Sequence, residues 1–137
     1  MLTEPIRALI LDEQARQNGC FIEGVDLDQY LAKLGRQSEI VSLTDGDRCR
    51  GFIAFYCNNT TTRRAYITLM VVSPSDRRTG LGRALVMSVL SIAQGRAFRS
   101  CGLEIANRNS GSLALFLSMG FTITERRASS SLLEIGF

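Results

Sequence analysis

Residues 70–85 read Met70-Val71-Val72-Ser73-Pro74-Ser75-Asp76-Arg77-Arg78-Thr79-Gly80-Leu81-Gly82-Arg83-Ala84-Leu85. An apolar, β-branched run is stopped by Ser73-Pro74, and a glycine-bearing loop then leads into an apolar helix, so the stretch spells strand, turn, loop, helix. The first N–H groups of such a helix have no partner within it, and the helix dipole adds partial positive charge at the same end. An anionic group, phosphate above all, is the natural occupant. Gly80 and Gly82 remove the Cβ atoms that would hold a diphosphate off those amides, and Arg77, Arg78 and Arg83 add positive charge nearby. Two better-known phosphate loops are excluded. The Lys-Ser/Thr of a Walker loop is absent, and Leu85 stands where the dinucleotide fingerprint requires its last glycine. The same residues would also serve a turn that merely tightens a strand-to-helix junction.

Working outward, the pattern before this segment changes period. Thr3, Glu4 and Pro5 open a helix with Ile6, Leu9 and Ile10 on one face until Asn18-Gly19, and Asp26 opens a second with Leu27, Tyr30, Leu31 and Leu34 in helical register. From Glu39 the runs are short and β-rich: residues 40–43, the turn Asp45-Gly46, residues 51–56, a polar tip at 58–64, and residues 66–72. They read as an antiparallel meander. After the glycine loop come a helix over 81–94, a strand near 103–106, a helix over 110–119 and strands over 121–125 and 132–135. The connection from residue 66 to residue 105 contains a helix, so its two strands must be parallel with a right-handed crossover. The expected fold class is α/β, a mixed sheet that is mostly antiparallel with one parallel pair and helices on its faces, in one domain over residues 1–137.

Composition narrows the function. At 137 residues with 45% hydrophobic and 21% charged content, the chain has enough apolar surface for a core and is neither disordered nor collagen-like. It contains no histidine, which removes Ser-His-Asp and Cys-His hydrolases and most zinc enzymes. Cys20, Cys49, Cys57 and Cys101 form no Cys-x-x-Cys pair, so reduced, mostly buried thiols are expected and no metal. A net charge of +3 suits anionic ligands but is small for a duplex-DNA binder. The arginine pairs at 63–64, 77–78 and 126–127 sit at turns without an aromatic platform for RNA, so they read as solvated faces and no nucleic-acid partner is expected. No secretion signal and no apolar run of bilayer length is visible, which makes a cytoplasmic protein without membrane contact the expectation.

The motif resembles a known family. Arg77-Arg78-Thr79-Gly80-Leu81-Gly82 is similar to the Arg/Gln-x-x-Gly-x-Gly/Ala signature of the GNAT superfamily of acetyl-CoA-dependent N-acetyltransferases, including the Val-x-Pro before it in Val72-Ser73-Pro74. A second segment agrees: residues 103–121 resemble the family's strand and helix closing on an aromatic, three residues and Gly-Phe, here Phe116, Leu117-Ser118-Met119 and Gly120-Phe121. The resemblance implies a GNAT-like fold whose parallel strands splay apart. It implies that Met70, Val71 and Val72 offer backbone groups to the pantetheine arm of acetyl-CoA. Residues 77–82 with Arg83 would wrap the diphosphate, and Asn109 would touch the arm, with Ser112 and Phe116 on the helix beyond it. Glu104 stands five residues before Asn109, where ribosomal-protein N-terminal acetyltransferases place their general base, and is the catalytic candidate.

Departures from the family pattern also matter. Phe116 occupies the position where many relatives carry a tyrosine that protonates the leaving thiolate, and phenylalanine has no proton to give. Ser112, one helical turn earlier on the same face, is the candidate to supply a hydroxyl or order a water. A thiolate with a pKa near about 8.5 leaves without much help, so activity need not be lost. The family's first strand is expected to be missing or supplied elsewhere, and an exposed sheet edge would call for cover by a homodimer partner, strands of another chain or the carboxyl terminus. The resulting expectation is an N-acetyltransferase acting on a primary amine: a peptide α-amine, an amino acid, an amino sugar or another small amine. The alternative is a non-catalytic acyl-CoA sensor or assembly protein that kept the cradle.

Overall fold

The computed structural model describes residues 2–137. The elements are α1 (Glu4–Arg16), α2 (Leu27–Gln37), β1 (Glu39–Asp45), β2 (Arg48–Tyr56), β3 (Arg64–Val72), a single 3-10 turn (Pro74–Asp76), α3 (Leu81–Gly95), β4 (Ser100–Ala106), α4 (Ser110–Ser118), β5 (Thr122–Arg126) and β6 (Ser130–Gly136). This is the expected order of elements. They form a six-stranded mixed sheet in the order β1-β2-β3-β4-β6-β5. The one parallel pair is β3 with β4, joined from Arg64↔Ser100 to Ile67↔Leu103. Both strands run on past this ladder, β3 to Val72 and β4 to Ala106. Among the described residues no strand precedes α1, and β1 and β5 are the edges.

The chain divides into two compact units, the first comprising Met1–Ala54 with Leu69–Leu85 and the second Phe55–Thr68 with Val86–Phe137. In the first unit, Ile6, Leu9 and Ile10 of α1 and Leu31 and Leu34 of α2 bury with Phe52, Ala54 and Val71. Asp26 caps α2 as its position predicts, accepting the Gln29 N–H at 3.0 Å. Thr3 occupies the α1 N-cap in extended conformation, yet its hydroxyl takes no helix amide. One of the two amides such a cap can take is missing two residues on. Pro5 fills the second helical position and has no N–H to give. One glycine here sets the position of α3. A Cβ on Gly51 of β2 would lie 3.1 Å from Leu81 Cδ2 and 3.2 Å from the Val71 carbonyl oxygen, so only glycine lets the first turn of α3 seat against the strand.

In the second unit β4 pairs antiparallel with β6 from Ser100↔Gly136 to Ala106↔Ser130. β5 pairs with β6 from Thr122↔Glu134, with a bulge between Ile123 and Glu125 that re-aims the residues after it. Val86, Val89, Ala93, Phe98, Cys101, Leu103, Ile105, Phe116, Phe121 and Leu133 are buried there. The four cysteines form no disulfide, and only Cys20 is exposed. Burial pushes the Cys101 thiol up to about 12, with Cys57 and Glu134 adding to it, so it is an inert core group rather than a nucleophile.

Candidate active site

In the first unit, the loop between the 3-10 turn and α3 is shaped by two left-handed residues, Arg78 at φ 64° and Gly80 at φ 85°. The first hydrogen bond of α3 runs from the Ala84 N–H to the Gly80 carbonyl at 3.0 Å, which puts the amides of residues 80–82 ahead of the helical ladder. A Cβ built on Gly80 meets nothing within 4 Å, so the space beside this backbone is open. Residues 77–80 are exposed and Leu81 and Leu85 are buried. A rigid helix thus presents its amide end to solvent, with arginines beside it. The donor set fits a diphosphate.

What holds the loop was not apparent from the motif. Asp76, buried at the end of the 3-10 turn, accepts from Arg48 Nη1 at 2.9 Å and Arg50 Nε at 3.0 Å. Its carbonyl accepts the Thr79 hydroxyl, and the Ser73 N–H donates to the Arg50 carbonyl at 2.9 Å. Arg77 turns back toward α1. Its Nη2 donates to Glu13 at 2.8 Å and its Nε to the Val72 carbonyl at 3.2 Å. Glu13 is only 7% exposed and also accepts from Gln17 at 2.7 Å and Arg16 Nη2 at 2.9 Å. The Arg77 side chain is therefore engaged by the protein itself, whereas Arg78 is exposed beside the open loop.

These carboxylates make acid sensitivity predictable. The Arg50 hydrogen bond, then Arg48, holds the Asp76 carboxyl below its ordinary range. Burial pushes Glu13 up, but hydrogen bonds from Gln17 and Arg16 and the charges of Arg77 and Arg16 outweigh it, and the net displacement is downward. A carboxyl harder to protonate folded than unfolded stabilises the fold above its unfolded value, near about 4, and loses that contribution as pH falls through the lower folded value. Urea midpoints should therefore drop on going from pH 5 to pH 3, and Asp76→Asn should drop less. Parallel curves for the two proteins would show that Asp76 does not carry this effect.

In the second unit, Glu104 lies on β4 opposite Leu132 of β6, with its side chain 39% exposed. One carboxylate oxygen accepts the Ser130 hydroxyl at 2.6 Å and Arg127 Nη1 at 3.2 Å, and Arg127 also pairs with Glu125. The carboxylate is oriented by the β5–β6 hairpin yet open to solvent. Asn109 is the N-cap of α4, accepting the Ser112 N–H at 3.4 Å. Ser112 is half-buried. Phe116 is 2% exposed, its ring edge-on to Phe121 with centroids 5.2 Å apart, which makes it a core residue of this unit. Among the described residues no cluster of His, Cys, Asp or Glu could hold a metal ion, and no helix is long and apolar enough to cross a membrane.

Comparison with known proteins agrees with this fold. The profile of the acetyltransferase (GNAT) family matches residues 8–121. The fold is similar to that of the ribosomal-protein-S18-alanine N-acetyltransferase of Escherichia coli, at TM-score 0.74 and 19% identity over 98% of this chain and 90% of that one. It is similar to the PaiA N-acetyltransferase of Thermoplasma acidophilum, solved in complex with coenzyme A, at TM-score 0.67 and 15% identity over 100% and 80%. A GNAT acetyltransferase of Elizabethkingia anophelis with acetyl-CoA bound gives TM-score 0.69 and 16% identity over 80% and 82%. No curated protein matches the sequence significantly. The chain belongs to the GNAT acetyltransferase family. It is an acetyl-CoA-dependent acyltransferase.

Proposed function

We propose that this protein transfers the acetyl group of acetyl-CoA to a primary amine by direct attack of the amine on the thioester in a ternary complex. The observation that carries the reading is the entrance of α3, where amides ahead of the helical ladder face open space beside a left-handed Gly80. Residues 78–83 hold the diphosphate there, and the backbone of residues 70–72 lies along the pantetheine arm. The bound molecule supplies an activated thioester. What the chain must add is a site for the amine, a proton acceptor and a donor to the developing oxyanion. Glu104 is the acceptor: a solvent-open carboxylate fixed by Ser130 and Arg127 takes the amine proton directly or through a water. A backbone N–H near Val72 is the oxyanion donor. Asn109, the cap of α4, would touch the arm, and Ser112 would supply the hydroxyl or ordered water that Phe116 cannot.

The acceptor we favour is a peptide α-amine, supported by the placement of Glu104 and by the likeness to the S18-alanine acetyltransferase. A screen of amine-terminated peptides, amino acids, amino sugars and polyamines, read by release of the coenzyme A thiol, tests this. Acetyl-CoA binding with no turnover on any amine would identify an acyl-CoA sensor instead. With an acceptor in hand, Glu104→Gln should lower turnover about a hundredfold at neutral pH, at the small end for a general base because solvent reaches the site, and less at alkaline pH, where free amine is plentiful. A loss independent of pH would remove Glu104 from the role of base.

A further inference from the structure

Glu13 sits where a core residue belongs. It continues the buried stripe of Ile6, Leu9 and Ile10 on α1 and is itself buried. A carboxylate there would cost stability unless paired and fully hydrogen-bonded, and a well-packed apolar side chain would serve the fold as well or better. Its partners connect it with the loop. Arg16 and Gln17 hold it from its own helix and its C-cap, and the remaining partner, Arg77, is the residue that opens the glycine loop. Through Nε the same guanidinium grips the carbonyl of Val72, the last residue of β3. One planar side chain therefore ties α1, the end of β3 and the root of the loop together. Asp76, one residue earlier, is clamped by Arg48 and Arg50 of β2.

We infer that Glu13 and Arg77 are positioning residues for the diphosphate loop: Glu13 holds the Arg77 guanidinium on the Val72 carbonyl, and this strap keeps the loop in its binding conformation before the nucleotide arrives. The inference rests on the reading of the loop as the diphosphate site. Its competitor is that Arg77 is itself a phosphate ligand, with Glu13 as a rival for its charge. The two accounts predict opposite signs. If Arg77 is a ligand, neutralising Glu13 frees it and tightens coenzyme A binding. If Glu13 and Arg77 form a strap, neutralising Glu13 leaves the loop competent for less of the time, and affinity falls by that fraction.

Calorimetric titration of the chain with coenzyme A separates them. For Glu13→Gln, which keeps the shape and leaves half-exposed Arg77 and Arg16 able to turn to water, Kd should rise about tenfold, as for a loop competent one-tenth of the time. Arg77→Lys should weaken binding similarly although it keeps the charge, because an ammonium lacks the planar fork that reaches Glu13 and the Val72 carbonyl together. Circular dichroism should show both variants folded. Unchanged or tighter binding by Glu13→Gln, or native affinity in Arg77→Lys, overturns the strap while leaving the loop assignment intact. A wild-type protein that does not bind coenzyme A overturns both.

Discussion

Gly82→Glu should abolish coenzyme A binding, weakening it by at least about a hundredfold, while leaving the fold as stable as before or slightly more so. The split follows from where residue 82 stands, in the first turn of α3 at the amide end of the helix. A carboxylate there is attracted by the same partial charge that would draw a phosphate, which adds roughly 0.3–1 kcal/mol to stability. Having its own anion in place, the helix end repels a second one, and the side chain adds bulk beside the amides that would grip it. Gly82→Ala separates bulk from charge and should fall between wild type and glutamate. Calorimetry reads the affinity and urea unfolding the stability. Full affinity in the glutamate variant would show that the diphosphate lies elsewhere and that the α3 entrance is only a tight junction.

Local signals made most of the fold readable. Asp26 with Gln29, Asp45-Gly46 and the change from helical to alternating period each announced an element that the structure contains. β4 begins earlier than its pattern suggested, at Ser100 rather than near Leu103, because Ser100, Cys101 and Gly102 have no strand-like composition of their own. They are strand because Arg64, Ala65 and Tyr66 pair with them on one side and Gly136, Ile135 and Glu134 on the other. Tertiary partners overrode propensity. The glycine loop was legible for the same reason as the turns: its chemistry is contained in a few adjacent residues. Its supports were not. Glu13 and Arg77 are separated by 64 positions and Arg48 and Asp76 by 28, and no periodicity links residues so far apart. One hint was present, since a glutamate in line with Ile6, Leu9 and Ile10 is a charge at a core position and must have a partner. Nothing local says which. Arg127, Ser130 and Glu125 around Glu104 were hidden in the same way, as residues that only the pairing of β4 with β6 and of β5 with β6 brings together.

Phe116→Ala should cost about 3–5 kcal/mol, the range for removing a buried aromatic ring, against a total stability of roughly 5–15 kcal/mol for a domain. The ring is inaccessible and meets Phe121 edge-on at an interplanar angle of 77°, so truncation opens a cavity and also forfeits the aromatic pairing. Urea unfolding measures it, and a loss under about 1 kcal/mol would show that the ring is not a core element. Phe116→Tyr asks the complementary question about chemistry. The family resemblance implies that many members place at this position a tyrosine acting as the acid for the leaving thiolate, which on its own argues for faster turnover. Here the hydroxyl would enter a packed environment, and a buried hydroxyl that finds no partner costs about 1–3 kcal/mol. The expected result is therefore a destabilised protein with no faster acetyl transfer. Faster transfer at unchanged stability would mean that position 116 borders the reacting thioester, and that this chain dispensed with an acid its fold could still accommodate.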